Sequence, residues 1–161
     1  MRDYWFISDT HFFHQNIIKY CDRPFKSVEE MNEKLIDNWN SVVKRGDLVY
    51  HLGDVVMGDF SHSHFAHIWS RLNGRKRLIV GNHDDVKYLS AGGFFEKVML
   101  WRAWDDKNLL FSHVPIHEES IHRGRVNIHG HTHNKGSPKG PYKSVCVESI
   151  NYTPVNLEEL A

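Results

Sequence analysis

In the stretch Arg77-Leu78-Ile79-Val80-Gly81-Asn82-His83-Asp84-Asp85 an apolar run stops directly against polar residues that each carry chemistry. Leu78, Ile79 and Val80 have the branched, unbroken hydrophobicity of a strand covered on both faces. Gly81 permits a sharp turn. Asn82, His83 and Asp84 then offer a neutral oxygen, an imidazole and a carboxylate at the carboxyl edge of that strand. Open α/β sheets place their ligands at this edge. Alone, Gly-Asn-His-Asp is as readily a polar turn as a site, so its meaning depends on what the neighbouring strands end in.

Upstream, the aromatic and β-branched run Tyr4 to Ser8 predicts a first strand ending at Asp9-Thr10-His11. A short helix is expected around Gln15 to Tyr20, before Asp22-Arg23-Pro24 breaks it into a surface loop. Ser27-Val28-Glu29-Glu30 is a capping-box pattern. The helix it starts carries Met31, Leu35, Trp39, Val42 and Val43 on one stripe and stops at Gly46. Asp47 to Leu52 reads as a second strand, ending at Gly53-Asp54, and Phe60 to Leu72 as a helix with Phe65, Ile68, Trp69 and Leu72 inward. A turn at Asn73-Gly74 leads back to the strand Lys76 to Val80. Strands alternating with helices predict a largely parallel sheet. Beyond Phe94 the rhythm changes to short strands at Val98–Trp101, Asn108–Ser112, Val126–His129 and Ser144–Val147, with Gly136 to Pro141 as a hairpin loop. A second sheet, mixed or antiparallel, should therefore pack on the first, giving an α/β sandwich of two sheets flanked by helices.

A length of 161 residues suits one domain, 1–161, with a sizeable core. Lys+Arg 20 against Asp+Glu 20 leaves no whole-protein field that would draw nucleic acid or an anionic membrane. Arg123, Arg125, Lys135, Lys139 and Lys143 make the late loops locally basic, which keeps nucleic acid open as a partner. Cys21 and Cys146 cannot build a framework and form no Cys-x-x-Cys, so reduced, buried thiols are expected. Without a signal-peptide core or an apolar run approaching ~18 residues, a cytoplasmic protein with no membrane contact is expected. Histidine is the outlier: 13 residues exceed what a core or a solvated face needs, and imidazole is the commonest metal ligand.

Five strand ends carry chemistry: Asp9-x-His11, Gly53-Asp54, Asn82-His83-Asp84, Ser112-His113 and Gly130-His131-Thr132-His133. Residues at i and i+2 just past a strand can both turn toward one centre, because the chain there is leaving the pleat. A lone Asp-x-His is more often turn chemistry, and among 13 histidines one His-x-His arises readily by chance. Their joint appearance at successive strand ends is what excludes the bland reading. Asp9, His11, Asp54, Asn82, His113, His131 and His133 are too many ligands for one tetrahedral ion. Two ions about 3.5–4 Å apart, sharing a bridging carboxylate, would use them all. Mixed oxygen and nitrogen ligation suits Mn, Fe, Zn or Co rather than a thiolate-selected metal.

Asp-x-His, Gly-Asp, Gly-Asn-His-Asp, a later His and Gly-His-x-His, in this order between Phe6 and His133, resemble the calcineurin-like metallophosphoesterase superfamily. The resemblance implies a four-layer α/β/β/α sandwich with a two-metal centre between the sheets, manganese being the favoured ion. By its motifs, Asp9, His11 and His133 would hold the first metal and Asn82, His113 and His131 the second, with Asp54 bridging. His83 would be the catalytic histidine outside the metal shell, donating to the leaving-group oxygen or stabilising phosphoryl charge. Protein phosphatases of the family continue Gly-Asp with Asp-Arg-Gly, whereas here Met57 stands in place of that carboxylate. A protein phosphatase is disfavoured, and the partner of His83 falls to Asp59, Asp84 or none. Asn82, His14 and Arg23 are the candidates for contacting substrate phosphate. The expected function is dinuclear-metal hydrolysis of a phosphate ester, foremost a diester of small or nucleotide-like type. A nuclease, a phosphomonoesterase and a non-catalytic binding module are the alternatives. His51, His62, His64, His67, His117, His122 and His129 have no assignment.

Overall fold

The computed structural model of the chain describes residues 1–161. In its first sheet β1 (Tyr4–Ile7), β2 (Leu48–His51), β3 (Arg75–Ile79) and β4 (Lys97–Met99) run parallel, and β9 (Val155–Asn156) pairs antiparallel with β1, in the order β4-β3-β2-β1-β9. The second sheet has the order β5-β6-β7-β8, where β5 (Trp101–Trp104) is antiparallel to β6 (Leu109–Ser112) and β6, β7 (Val126–His129) and β8 (Tyr142–Ser144) are parallel.

Register aligns the strand ends. Ile7 pairs with His51 and His51 with Leu78, so β1, β2 and β3 end level and release their loops side by side. Ser112 pairs with His129 in the same way in the second sheet. Ser8 joins the two sheets at this edge, donating its N–H to Val145 O at 2.9 Å and accepting from Val147 N at 3.1 Å.

Alternation along the strands builds two apolar layers. Phe6, Leu48, Tyr50 and Ile79 face Leu109, Phe111, Ile128 and Val145 between the sheets, with Phe6 and Phe111 stacked at 4.8 Å between centroids. Ile7, Val49 and Leu78 face the other way, against Met31, Leu35 and Trp39 of α2 (Val28–Val42) and Phe65 and Trp69 of α3 (His62–Arg71). Two mixed sheets flanked by helices result. The connections between the parallel strands of the second sheet carry single 3-10 turns at Glu118–Ser120 and His133–Lys135. Asn127 ties down the first of these connections, accepting from Ile116 N at 2.9 Å while donating to Leu110 O at 3.0 Å.

Several local expectations are corrected. Val98–Trp101 is not one strand: the chain leaves the first sheet after Met99 and enters the second at Trp101, with Leu100 exposed at the crossing. Gly136 to Pro141 is no hairpin, because β7 and β8 are parallel and parallel neighbours need a crossover. The strand expected at Ser144–Val147 ends at Ser144 and gives way to a 3-10 turn at Val147–Ser149. Asp47 stands before β2 rather than in it, accepting from Asp3 N, Lys44 N and Trp5 Nε1. Ser27 accepts from Glu30 N as a cap, but Glu30 reaches back to Lys26 N instead of completing the box. The short elements α4 (Val86–Ala91), α5 (Leu157–Leu160) and β9 were not expected, since so few residues show no period. α1 (Gln15–Tyr20) lies where the sequence placed it.

Candidate metal centre

The loops that leave the level strand ends turn back on themselves. Asp9, His11, Asp54, His131 and His133 all adopt left-handed backbone, with φ of 58°, 49°, 56°, 70° and 49°. Each such non-glycine residue costs on the order of 1–3 kcal/mol, and the strain persists only where surrounding bonds over-determine it. Those bonds are present. Thr10, between Asp9 and His11, donates its hydroxyl to Val55 O at 2.8 Å and meets His51 Nε2 at 2.9 Å. His51 Nδ1 in turn accepts from Gly53 N at 3.1 Å. Burial pushes the His51 pKa down to about 3, so this neutral imidazole ties the first loop to the second. Asp84 ties the second to the third, accepting from Asp54 N at 3.0 Å, Val55 N at 2.9 Å and Gly81 N at 2.7 Å.

The candidate ligands gather into two groups, Asp9–His11–His133 and Asp54–His113–His131, with the ligand atoms of each within 4.8 Å of one another. Asp54 Oδ2 lies 3.5 Å from His11 Nε2 and 3.3 Å from His113 Nε2, so one oxygen faces both groups. Asn82 Oδ1 is 2.9 Å from His113 Nε2 and 3.0 Å from His131 Nδ1. Asp9 Oδ1 and His11 Nε2 are buried with no hydrogen-bond partner, a costly arrangement that a cation at this point would relieve. The outer ring nitrogens are anchored, as in metal-binding histidines. His113 Nδ1 meets Leu52 O at 2.6 Å, His133 Nδ1 meets Glu148 Oε2 at 3.0 Å and His11 Nδ1 meets His14 Nδ1 at 3.0 Å. Asp9 Oδ2 is spent on Ser8 Oγ and His131 N, leaving Oδ1 for the centre.

The carboxylates and imidazoles of the two groups act on one another's protonation. Burial raises the Asp54 pKa, but the adjacent His11 and His113 imidazoles outweigh it and hold the carboxyl well below the usual range. Burial lowers the His113 pKa, but Asp54 and Asp9 outweigh it and lift the ring to about 9. Metal uptake must displace such protons, because only neutral imidazole ligates.

The remaining expectations divide. His83 donates its backbone N–H to Asp54 Oδ1 at 2.9 Å, and its exposed ring lies 6.1 Å from that of His11, outside both groups. No carboxylate orients that ring: Asp84 is committed to three amides, and Asp59 faces a separate groove beside Phe13, Glu29 and His64. His14 sits behind His11, as its hydrogen-bond partner. Arg23 is corrected outright as a phosphate contact. It is 3% exposed, and its guanidinium donates to Asp9 O at 2.7 Å, Thr10 O at 2.9 Å and Glu148 at 3.3 Å, holding the loop from behind. Arg125 pairs with Asp105. Glu148 and His51 were missed, and neither carries a local signal.

Gly81 is required by close approach: a Cβ there would overlap Asp54 Oδ1 and come 2.5 Å from Asp54 N. Gly81→Ala should therefore destabilise by about 1–3 kcal/mol, the usual cost of overpacking, and displace Asp54. Gly46→Ala, with nothing within 4 Å of the added carbon, is the control. Urea midpoints check the pair, and equal midpoints would show that the loops give way without cost.

A family model described as calcineurin-like phosphoesterase matches residues 3–159. The uncharacterized protein MJ1445 of Methanocaldococcus jannaschii is 39% identical over 98% of this chain and 89% of its own length. The Gene 66 protein of Mycobacterium phage L5 is 30% identical over 83% of this chain and 79% of its own. The crystal structure of AQ665, a protein of unknown function from Aquifex aeolicus, is similar with a TM-score of 0.77 at 28% identity, covering 99% of this chain and 98% of that one.

Proposed function

The chain belongs to the calcineurin-like phosphoesterase family, whose chemistry is metal-dependent phosphoester hydrolysis, and from that premise we propose that it is a two-metal phosphodiesterase acting on a small or nucleotide-like substrate. The observation that carries this reading is Asp54 Oδ2 facing both ligand groups beside the unpartnered, buried Asp9 Oδ1 and His11 Nε2. Asp9, His11 and His133 would hold one ion and Asn82, His113 and His131 the other, with Asp54 shared between them. When bound, the divalent ions supply a nucleophile at neutral pH and neutralise phosphoryl charge. The chain's own part is to position that charge and to move a proton. His83, exposed beside the groups, donates from its ring to the leaving-group oxygen. Asn82 contributes a neutral oxygen, so the set stays at two ligand carboxylates.

Oxygen and nitrogen donors without a thiolate suit Mn, Fe, Zn or Co alike, and manganese is the ion we take from the family resemblance. No helix is long and apolar enough to cross a membrane. Free, buried Cys21 and Cys146 support a reducing compartment, and we place the protein in the cytoplasm.

Diester preference rests on charge. Two divalent ions with the carboxylates of Asp9 and Asp54 and one hydroxide nucleophile would leave a formal charge of about +1, which a monoanionic diester neutralises and a dianionic monoester overshoots. An arginine at the phosphate would change that balance, but Arg23 lies behind the loop and Arg125 is paired with Asp105. With Mn²⁺ and one pH, kcat/KM for bis-nitrophenyl phosphate should exceed that for nitrophenyl phosphate at least about tenfold, the equivalent of about 1.4 kcal/mol. A preference for the monoester would refute the charge argument. Turnover of neither ester would reduce the protein to a binding module.

A further inference from the structure

Behind the first ligand group lies a further, partly buried set, Cys21, His133 and Glu148, whose ligand atoms are also within 4.8 Å of one another. It is not a third ion site. Arg23 Nη2 lies 3.3 Å from Glu148 Oε1 and already supplies the cation. Glu148 thus has two partners from distant segments, the Arg23 guanidinium and His133 Nδ1, and its side chain is only 4% exposed. The same Arg23 nitrogen donates to Asp9 O at 2.7 Å, and its neighbour donates to Thr10 O at 2.9 Å. One ion pair therefore holds two of the three residues of the first group, His133 through its ring and Asp9 through its backbone.

The second group has nothing equivalent. His113 is anchored by a backbone carbonyl, Leu52 O, while His131 Nδ1 lies 3.0 Å from Asn82 Oδ1, among the ligand atoms of the second group, with no carboxylate on its other nitrogen. We propose that Glu148 is a positioning residue that makes the two metal positions unequal: by fixing the ring of His133 and the guanidinium of Arg23, it makes the Asp9–His11–His133 position the tighter one and the first to fill. A carboxylate on the outer nitrogen fixes the tautomer, so that Nε2 presents its lone pair, and raises the basicity of the ring. Because Arg23 balances the charge of Glu148, the gain comes from orientation and donor strength rather than from added negative charge at the ion. The inference rests on the two-metal reading and deepens it.

Mn²⁺ titration of the metal-free protein, followed by calorimetry and by the electron paramagnetic resonance of free Mn²⁺, tests it. Wild type should take up two ions in separable steps. Glu148→Gln keeps the shape of the side chain but removes its charge, and should weaken the tighter step about 10–100-fold while leaving the weaker step unchanged. Glu148→Asp should recover part of that loss. In a His133→Asn background, Glu148→Gln should cost less than in wild type, because only the part that acts through Arg23 remains. Removing the partner of the buried Arg23 lowers the thermal midpoint in either case, but a purely structural role would weaken both steps together, in either background, and would overturn the proposal. Unchanged binding in Glu148→Gln would overturn it as well. Absence of two-ion uptake by wild type would overturn the two-metal reading, and the proposal with it, so the two failures are told apart by the wild-type titration alone.

Discussion

Asp54→Asn is expected to empty both metal positions at once and to lower turnover at least about 10⁴-fold, more than the loss of a single acid–base group typically produces. The reason is geometric. Asp54 Oδ2 faces His11 Nε2 at 3.5 Å and His113 Nε2 at 3.3 Å, so the oxygen that would serve each ion is the same atom. An asparagine amide in that place would donate to the two imidazole nitrogens and cap the lone pairs the ions need. The fold should survive, since an asparagine Oδ1 still accepts from His83 N, the 2.9 Å bond that Asp54 Oδ1 now makes. Asp9→Asn provides the contrast, because Asp9 belongs to one group only and its loss should cost one ion. Elemental analysis of the purified variants decides. Two ions retained in Asp54→Asn would exclude a bridging role, whatever happened to the rate.

His83→Asn should do the reverse, keeping both ions and losing rate. Its ring lies outside both ligand groups, and its bond to Asp54 is made by the backbone N–H, which the substitution preserves. A general acid contributes about 10²–10⁴-fold, and that range is expected for an alkyl leaving group that must be protonated as it departs. For a nitrophenolate, stable without a proton, the loss should be at least about tenfold smaller, since acid catalysis helps least where the leaving group needs no proton. Paired kcat values for the two ester types, with metal content measured on the same samples, make the test. An equal loss for both types would falsify the proton-donor role and leave stabilisation of phosphoryl charge in its place.

The candidate site was legible in the sequence further than the fold was. Asp9, His11, Asp54, Asn82, His113, His131 and His133 could be picked out because each follows an apolar run that ends abruptly, and both the run and its end are local signals. The two-sheet architecture followed from the same signals, as strands alternating with helices give way to short strands with no helix between them. The helix stripes of Met31, Leu35 and Trp39, and of Phe65 and Trp69, were equally local and proved to be the outer layer on the first sheet.

What the tertiary structure alone decided is which polar groups meet. Arg23 reads as an exposed loop arginine, but it is buried against Glu148, 125 residues away. Glu148 follows a strand-like run without a motif and became the partner of His133 only because the bridge at Ser8 brings the end of the second sheet against the first. Asp84 looked like a partner for His83 and is instead the clamp between two loops, since level strand ends put three amides within its reach. The change of sheet at Leu100 was hidden for the same reason. Hydrophobic period reports that a residue is buried, but the partner of a hydrogen bond is set by the register between strands distant in sequence, which no local pattern encodes.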